Sequence, residues 1–142
     1  MILVANDRDV RVIRVDHDSD VVSSFAMTKK LTYVELPAND MARSATFYAA
    51  VLGWQIDQRA DGPRFSDDTA QLIGRWVIGR ASTREPGVML YFSVDRVADA
   101  VARVAANGGE VIAEPTIEGD VLLARLRDPA GNAIGIWQFA SA

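Results

Sequence analysis

The sequence contains no cysteine and a single histidine, His17. Without cysteine the chain cannot form disulfides, iron–sulfur clusters or thiolate zinc sites, and it has no cysteine nucleophile. A single imidazole also offers few ligands for a histidine-based metal centre and only one possible base for a serine–histidine catalytic pair. The sequence therefore limits metal and nucleophilic chemistry severely.

A basic excess and long hydrophobic runs are also missing. Fifteen Lys and Arg against nineteen Asp and Glu give a net charge of −4, which argues against a nucleic-acid partner, because such proteins normally carry a basic stripe. No apolar run approaches the ~20 residues that cross a bilayer, and the first residues lack the basic region of a signal peptide. We therefore expect a cytoplasmic protein with neither a nucleic-acid nor a membrane partner.

The length and composition are those of one folded domain. The chain has 142 residues, 49% of them hydrophobic and 24% charged, and two separate domains of this total size would each bury only a small core. Residues 1–29 differ from the rest in being rich in Asp, and we interpret them as an N-terminal extension with one short strand at about residues 9–15. Residues 30–142 are expected to form the single domain.

The segment Asp16-His17-Asp18-Ser19-Asp20 has the composition of a metal-binding loop. It lacks the glycine at the sixth position and the glutamate at the twelfth that an EF-hand loop requires. We therefore interpret this segment as a solvated acidic turn.

From residue 31 onward the same order of elements occurs twice. Asn39 or Asp40 suits a helix N-cap and Gly53 suits a C-cap, and between these positions apolar residues recur at helical spacing after a strand pattern. The same pattern lies 55 positions further on, between Asp95 and Gly108. Strand patterns follow each helix, so the repeat indicates one fold built from two similar modules. The modules span about residues 30–82 and 86–140.

Several motifs in these modules resemble those of one protein family. They are YVELPAND at 33–40, RSATFY at 43–48 and LGW at 52–54, then YFSVD at 91–95, GG at 108–109 and DPAGNAI at 128–134. Together they resemble the glyoxalase/bleomycin-resistance/extradiol-dioxygenase superfamily, also called the vicinal oxygen chelate fold. The resemblance implies an α+β fold in which two βαβββ modules form a curved mixed sheet around a shared concave pocket, often completed by a dimer partner.

The resemblance also implies where a catalytic metal would lie. Metal-dependent members hold a divalent ion with His and Glu side chains from four strands, and the three positions that can be matched here hold Tyr33, Met89 and Gly135. The fourth falls within residues 71–78, which contain no His, Asp or Glu. A neutral phenol, a thioether and a glycine are poor substitutes for oxygen or imidazole donors. We therefore expect no metal and no other cofactor, which argues against the metal-dependent activities of the family.

A small-molecule pocket is still expected from the strand patterns. Side chains alternate between the two faces of a strand, so one wall would be mostly aromatic and apolar with few polar groups, as small-molecule sites are. The alternative is that the same aromatic side chains fill the hollow of the sheet. The predicted ligand-binding residues are Tyr33, Glu35, Arg75, Met89, Tyr91 and Trp137.

Glu35 is the carboxylate of this wall and the candidate catalytic residue. Desolvation in an apolar cavity would raise its pKa and make it a general base. The alternative is a structural ion pair with Arg75 or another arginine.

Three functions fit these features. The first is a metal-free small-molecule-binding protein of this superfamily, with a partly aromatic or amphipathic ligand whose cationic group Glu35 would attract. The second is a metal-independent lyase or isomerase that uses Glu35 as acid and base. The third is a dimeric interaction module with a plugged pocket. A homodimer is expected in each case, because open sheets leave edges that must be covered and because the resemblance implies it.

A chain that lacks residues 1–26 is expected to fold, because those residues precede the repeated modules and differ from them in composition. Thermal unfolding followed by circular dichroism would compare the shortened chain with the full-length chain. A shortened chain that aggregates or melts at a much lower temperature would show that the extension belongs to the fold.

Overall fold

The structure is a computed structural model that describes residues 2–6, 9–13 and 29–140. By its contacts the chain divides into two units, Met1–Leu31 and Thr32–Ala142. The acidic turn expected at residues 16–20 lies outside the described residues. In the first unit, β1 (Ile2–Asn6) and β2 (Asp9–Ile13) form an antiparallel pair. The alternating sequence predicted β2 but not its partner β1.

The second unit begins with a module in which one helix crosses a four-stranded sheet. The strand order is β3-β6-β5-β4, with β3 parallel to β6 and the other neighbours antiparallel. A tight turn joins β4 to β5 and residues 67–72 join β5 to β6, whereas the helix carries the chain from β3 to the opposite edge of the sheet. The elements are β3 (Tyr33–Pro37), α1 (Met41–Leu52), β4 (Gln55–Arg59), β5 (Gly62–Ser66) and β6 (Ile73–Val77).

The second module repeats this topology. Its strand order is β7-β10-β9-β8, again with the first strand parallel to the last. The predicted α+β fold of two βαβββ modules is therefore confirmed, and its strands lie in two four-stranded mixed sheets. The elements are β7 (Tyr91–Ser93), α2 (Val97–Val104), a 3₁₀ turn (Ala105–Asn107), β8 (Glu110–Glu118), β9 (Val121–Arg127) and β10 (Ala133–Phe139).

Strand β7 is short, although the largely apolar run at residues 88–94 is typical of a longer strand. The parallel pairing with β10 places Tyr91 opposite Gly135, and the Gly135 N–H donates to Leu90 O at 2.8 Å. Two residues earlier on β10, the Ala133 N–H donates to Thr83 O at 2.7 Å. Thr83, in the connection between the modules, thus accepts the hydrogen bond that would otherwise have extended the pairing of β7 with β10 toward Met89.

Strand β8 is nine residues long and contains a proline. Pro115 lies within β8, which is an edge strand and pairs only with β9. Proline is tolerated at an edge because its missing N–H faces away from the neighbouring strand. The pairing register shifts between Ala113 and Thr116, on either side of this proline.

The N-cap of α1 is Asp40, one of the two residues that the sequence offered, and the C-cap is Gly53 as predicted. Asp40 Oδ1 accepts hydrogen bonds from the backbone N–H groups of Ala42 and Arg43, at 3.0 and 3.2 Å. At the other end, Gly53 adopts a left-handed conformation with φ of 72° and donates to Ala49 O. Both arrangements satisfy backbone groups that a helix end leaves without partners.

The N-cap of α2 was predicted to be Asp95, and this is wrong. The cap residue is Arg96, and its side chain makes no capping hydrogen bond. Instead, the Val97 N–H donates to Oε1 of Gln138 at 2.7 Å. A side chain from β10 therefore performs the task that the sequence assigned to the aspartate.

An aromatic cluster joins the helices and sheets in the core. Tyr48 stacks on Trp54 with 4.7 Å between ring centroids, Trp54 stacks on Phe65 at 4.4 Å, and Phe92 of β7 meets Trp54 edge-on. Phe47 and Tyr48 are fully buried, so both side chains help to hold α1 to the sheet. Because Phe92 belongs to the second module, this cluster is common to both modules.

A buried polar network also crosses the boundary between the modules. Tyr48 donates from its hydroxyl to Asp128 Oδ2 at 2.8 Å, and Asp128 Oδ1 accepts from the N–H groups of Ala130 and Asn132. The Asn132 side-chain amide donates to Pro37 O at the end of β3. The turn before β10 is thus bound to both α1 and β3.

Tyr48→Phe is expected to lower the free energy of unfolding by about 1–3 kcal/mol, because it removes a donor from the buried carboxylate of Asp128. Urea denaturation would measure this loss. Tyr33→Phe is the matched control, since it removes a hydroxyl that also donates to a carboxylate, that of Glu35, at an exposed position. Equal losses in the two variants would contradict the importance of the buried network.

Candidate functional site

Three of the six predicted ligand-binding residues lie together on the first sheet. Leu36 and Trp76 face the core, so alternation directs Glu35 and Arg75 to the opposite face. The parallel register places these two residues directly side by side, with Tyr33 two positions earlier on β3. The sheet topology therefore creates this grouping, because residues 35 and 75 are far apart in the sequence.

The Glu35 carboxylate accepts hydrogen bonds from three side chains. Arg75 Nε and the Tyr33 hydroxyl donate to Oε2 at 2.9 and 3.1 Å, and Arg80 Nη1 donates to Oε1 at 3.1 Å. We call these four residues the Glu35 cluster. The ion pair with Arg75 was one of the two alternatives that the sequence offered. Arg80 was not predicted, because it follows a turn after β6 and no periodic pattern reaches it.

The Glu35 cluster lowers the pKa of its carboxyl group. The ordinary value of 4.5 is reduced first by the hydrogen bond from Arg75, then by those from Arg80 and Tyr33. The same interaction raises the pKa of Arg75. The Glu35 side chain keeps 25% of its surface exposed, so desolvation does not outweigh these donors. A lowered pKa makes this carboxylate a weaker base.

Tyr91 and Trp137 lie on the second sheet, on the face turned away from Ile134 and Ile136 of the core. Tyr91 accepts a hydrogen bond from Arg125 Nε at 2.9 Å, and the Arg125 guanidinium lies 6.0 Å from the ring centroid. The contact with Tyr91 raises the pKa of Arg125. We call Tyr91, Arg125, Gly135 and Trp137 the Tyr91 patch.

The ring of Tyr91 lies directly over Gly135. A Cβ atom added at position 135 would meet the Cδ1, Cε1 and Cγ atoms of that ring, all three at distances that real Cβ atoms do not show. Gly135 occupies the position that the resemblance matches to the metal ligand of the last strand. Gly135 therefore has no side chain that could bind a metal, and the Tyr91 ring fills the space that such a side chain would need.

Within the described residues, the two groups are separate. The hydrogen bonds, ion pairs and ring contacts described here for these predicted side chains each stay within one module. Met89 belongs to neither group and lies in the segment that precedes β7. A single chain therefore presents two polar-aromatic surfaces on different sheets.

The described cavities lie elsewhere. One of about 740 Å³ lies between the end of α1 and the start of α2, and Trp54, Phe92 and Arg96 are among its lining residues. A second, of about 420 Å³, lies beside the turn that contains Asp128. Neither is lined by any of the six predicted ligand-binding residues.

The residues present do not fit the divalent metal that the fold family implies. In the part of the chain that the structure describes, no three His, Cys, Asp or Glu side chains come together in a way that could hold a metal ion. At the matched positions, the Tyr33 hydroxyl donates its hydrogen bond to Glu35, and the Tyr91 ring covers Gly135. A metal would need lone pairs from oxygen or nitrogen at these positions.

Comparison with known families agrees with the topology. The model of the glyoxalase/bleomycin resistance protein/dioxygenase superfamily matches residues 30–136. The chain therefore belongs to this superfamily. The match covers both βαβββ modules and leaves out the first 29 residues.

Individual relatives include an enzyme and a binding protein. The chain is 27% identical over 120 residues to a lactoylglutathione lyase of Salmonella typhimurium, covering 74% of this chain and 89% of the relative. A glyoxalase/bleomycin resistance protein from Albidiferax ferrireducens T118 superposes with a TM-score of 0.62 at 26% identity, covering 75% and 95% of the two chains. An antibiotic-binding protein from Streptomyces sp. CB03234 gives a TM-score of 0.60 at 22% identity, covering 80% and 98%.

Neither helix in the described part of the chain has the length and apolar character needed to span a membrane.

Glu35→Gln is expected to lower the melting temperature at about pH 7 and to have a smaller effect at about pH 3. The pKa of Glu35 is lowered in the folded state, so its charged form adds stability above the ordinary value of 4.5. This contribution is lost as the pH falls through the folded-state pKa. Calorimetry of both proteins at the two pH values would measure the difference.

Asp57→Asn is the matched control for this experiment. Asp57 pairs with Arg59 on the same sheet, but both side chains are well exposed, so water screens the pair. We expect little change in melting temperature at either pH. A Glu35→Gln effect that is the same at both pH values would show that lost packing, not lost charge, is responsible.

Proposed function

We propose that this protein binds a small, partly aromatic or amphipathic molecule without the help of a metal ion. The observation that carries this proposal is the ring of Tyr91 over Gly135. It fills the position from which a metal ligand would project and at the same time presents an aromatic surface. The proposed ligand-binding residues are those of the sequence analysis, with Arg80 and Arg125 added.

We propose further that a second copy of the chain completes the site. The Glu35 cluster and the Tyr91 patch lie on different sheets, and a dimer could place one opposite the other, as the resemblance implies. Large apolar side chains are exposed near both surfaces: Tyr33 keeps 48% of its surface accessible, Ile73 47% and Phe139 60%. Covering such side chains favours association. The ligand would then lie between the Glu35 cluster of one chain and the Tyr91 patch of its partner.

The partner is proposed to be a small molecule, with neither nucleic acid nor a membrane involved, and the cytoplasm is the proposed location. The net charge of −4 argues against a nucleic-acid partner, because nucleic acids repel an acidic protein. The name of the Streptomyces neighbour describes binding of an antibiotic by that protein, which is compatible with a binding role for this fold.

A metal-independent lyase or isomerase that uses Glu35 as acid and base is the alternative. It is the weaker proposal, because the hydrogen bonds from Arg75, Arg80 and Tyr33 stabilise the carboxylate and lower its pKa. A general base at neutral pH would need the opposite shift. The Salmonella relative, which is 27% identical to this chain, is called a lyase, and that name describes the relative alone.

Native mass spectrometry of gently purified, untagged protein tests the proposed function. We expect a dimer that carries an organic molecule or no ligand, and no stoichiometric divalent ion. Addition of Zn²⁺, Ni²⁺ or Mn²⁺ is expected to leave the melting temperature unchanged. One bound divalent ion per chain, together with a raised melting temperature, would overturn the metal-free proposal.

A thermal-shift screen of aromatic acids, amides, amines and antibiotics would then identify ligands. A ligand at 100 times its Kd stabilises a protein by about 2.7 kcal/mol. Trp137→Ala is expected to abolish the shift, whereas Ile117→Ala, at an exposed position on the far edge strand of the same sheet, is expected to preserve it. If both variants behave alike, the Tyr91 patch is not the binding surface.

A further inference from the structure

The charges of the Glu35 cluster do not cancel. Two guanidinium groups, from Arg75 and Arg80, surround one carboxylate and one neutral phenol. The cluster therefore carries a net charge of about +1 at neutral pH, although the whole chain carries −4.

The other ion pairs of this sheet are balanced. Arg59 is paired with Asp57 at 2.9 Å, and Arg64 is paired with Asp61 at 2.8 Å. These pairs add no net charge, so the positive excess of the sheet belongs to the Glu35 cluster.

Both arginines have hydrogen-bonding capacity beyond their contact with Glu35. Arg75 uses Nε and Arg80 uses Nη1 for the hydrogen bonds to Glu35, whereas a guanidinium carries five N–H donors. The two side chains are 39% and 52% exposed. A molecule in solution can therefore reach both of them.

We infer that Tyr33, Arg75 and Arg80 form a carboxylate-binding subsite that the chain's own Glu35 fills, so that the site selects an aromatic or amphipathic anion and binding displaces Glu35 from at least one arginine. This inference rests on the proposed function and names its ligand class. It reverses the expectation that Glu35 attracts a cationic group, because that carboxylate is already neutralised by two cations. Arginine pairs well with carboxylates because its N–H groups match their geometry.

The Tyr91 patch supports the same ligand class. Arg125 supplies another positive charge beside the rings of Tyr91 and Trp137, with Glu118 as the acidic group that acts on it. An anion with an aromatic ring could pair with arginine and stack on these rings. A cation would meet arginine on both proposed surfaces.

Three probes of the same shape test the charge preference: 2-naphthoate, 2-naphthamide and 2-naphthylmethylamine. Isothermal titration would give their affinities for the wild-type protein. We expect the carboxylate to bind about tenfold more tightly than the amide, which corresponds to about 1.4 kcal/mol, and the amine to bind most weakly. Added salt is expected to weaken binding of the carboxylate and leave the amide unaffected.

Variants of the cluster test the role of Glu35. Glu35→Gln is expected to strengthen binding of 2-naphthoate several-fold, because it removes the competing carboxylate. Arg80→Gln is expected to weaken it about tenfold, by loss of a charge-assisted contact. Arg59→Gln, an exposed arginine on the edge strand of the same sheet, is the matched control and is expected to change the affinity less than twofold. NMR signals of the arginine Nε–H groups would report whether Arg75 is contacted.

The results separate this inference from the proposed function. Equal affinity for 2-naphthoate and 2-naphthamide would overturn the carboxylate subsite, and so would a weaker affinity of Glu35→Gln than of the wild-type protein for 2-naphthoate. In either case, binding of one of these probes would still support a small-molecule site. Tighter binding of the amine would also overturn the carboxylate subsite. If none of the probes binds the wild-type protein or Glu35→Gln, the subsite is refuted, and the proposed function then depends on native mass spectrometry, which is independent of ligand charge.

Discussion

The hydrogen bonds that meet at the buried carboxylate of Asp128 hold the two modules together. Tyr48 reaches it from α1, and Asn132 connects it to Pro37 at the end of β3. A buried carboxylate is costly unless such donors satisfy it. The network therefore sets the position of the turn before β10 relative to the first module, and Gly135 follows this turn by a few residues. Burial and the Asp128 charge also raise the pKa of Tyr48 well above 10.0, so its hydroxyl stays a donor.

Alternation along the strands connects this core to the candidate site. Trp76 and Leu36 pack inward, so their neighbours Arg75 and Glu35 face outward. In the second sheet, Ile134 and Ile136 pack inward and leave Gly135 under the ring of Tyr91. The outer faces thus combine arginine with aromatic side chains, where metal-dependent relatives would carry ligands. This substitution is the physical basis for the metal-free binding role that we propose.

The predictions that succeeded rest on local patterns. Asp40 and Gly53 cap α1 as expected, because a cap depends on residues only a few positions apart. The predicted cap Asp95 failed, because Gln138 from a distant strand satisfies the same N–H group. Arg80 escaped prediction for a similar reason. Its contact with Glu35 joins residues that lie 45 positions apart, and no spacing in the sequence signals such a pair.

The sequence by itself determined the repeated order of strands and helix, since this follows from short-range periodicity. Through the family resemblance it also implied the βαβββ fold and the lack of metal ligands at the matched positions. Tertiary structure alone decided which outward side chains meet. The parallel pairing of β3 with β6 brought Arg75 to Glu35 and made the carboxylate a partner of two arginines. Pairing of β7 with β10 placed the Tyr91 ring over Gly135. Both outcomes depend on strand register between distant segments, which hydrophobic periodicity does not encode.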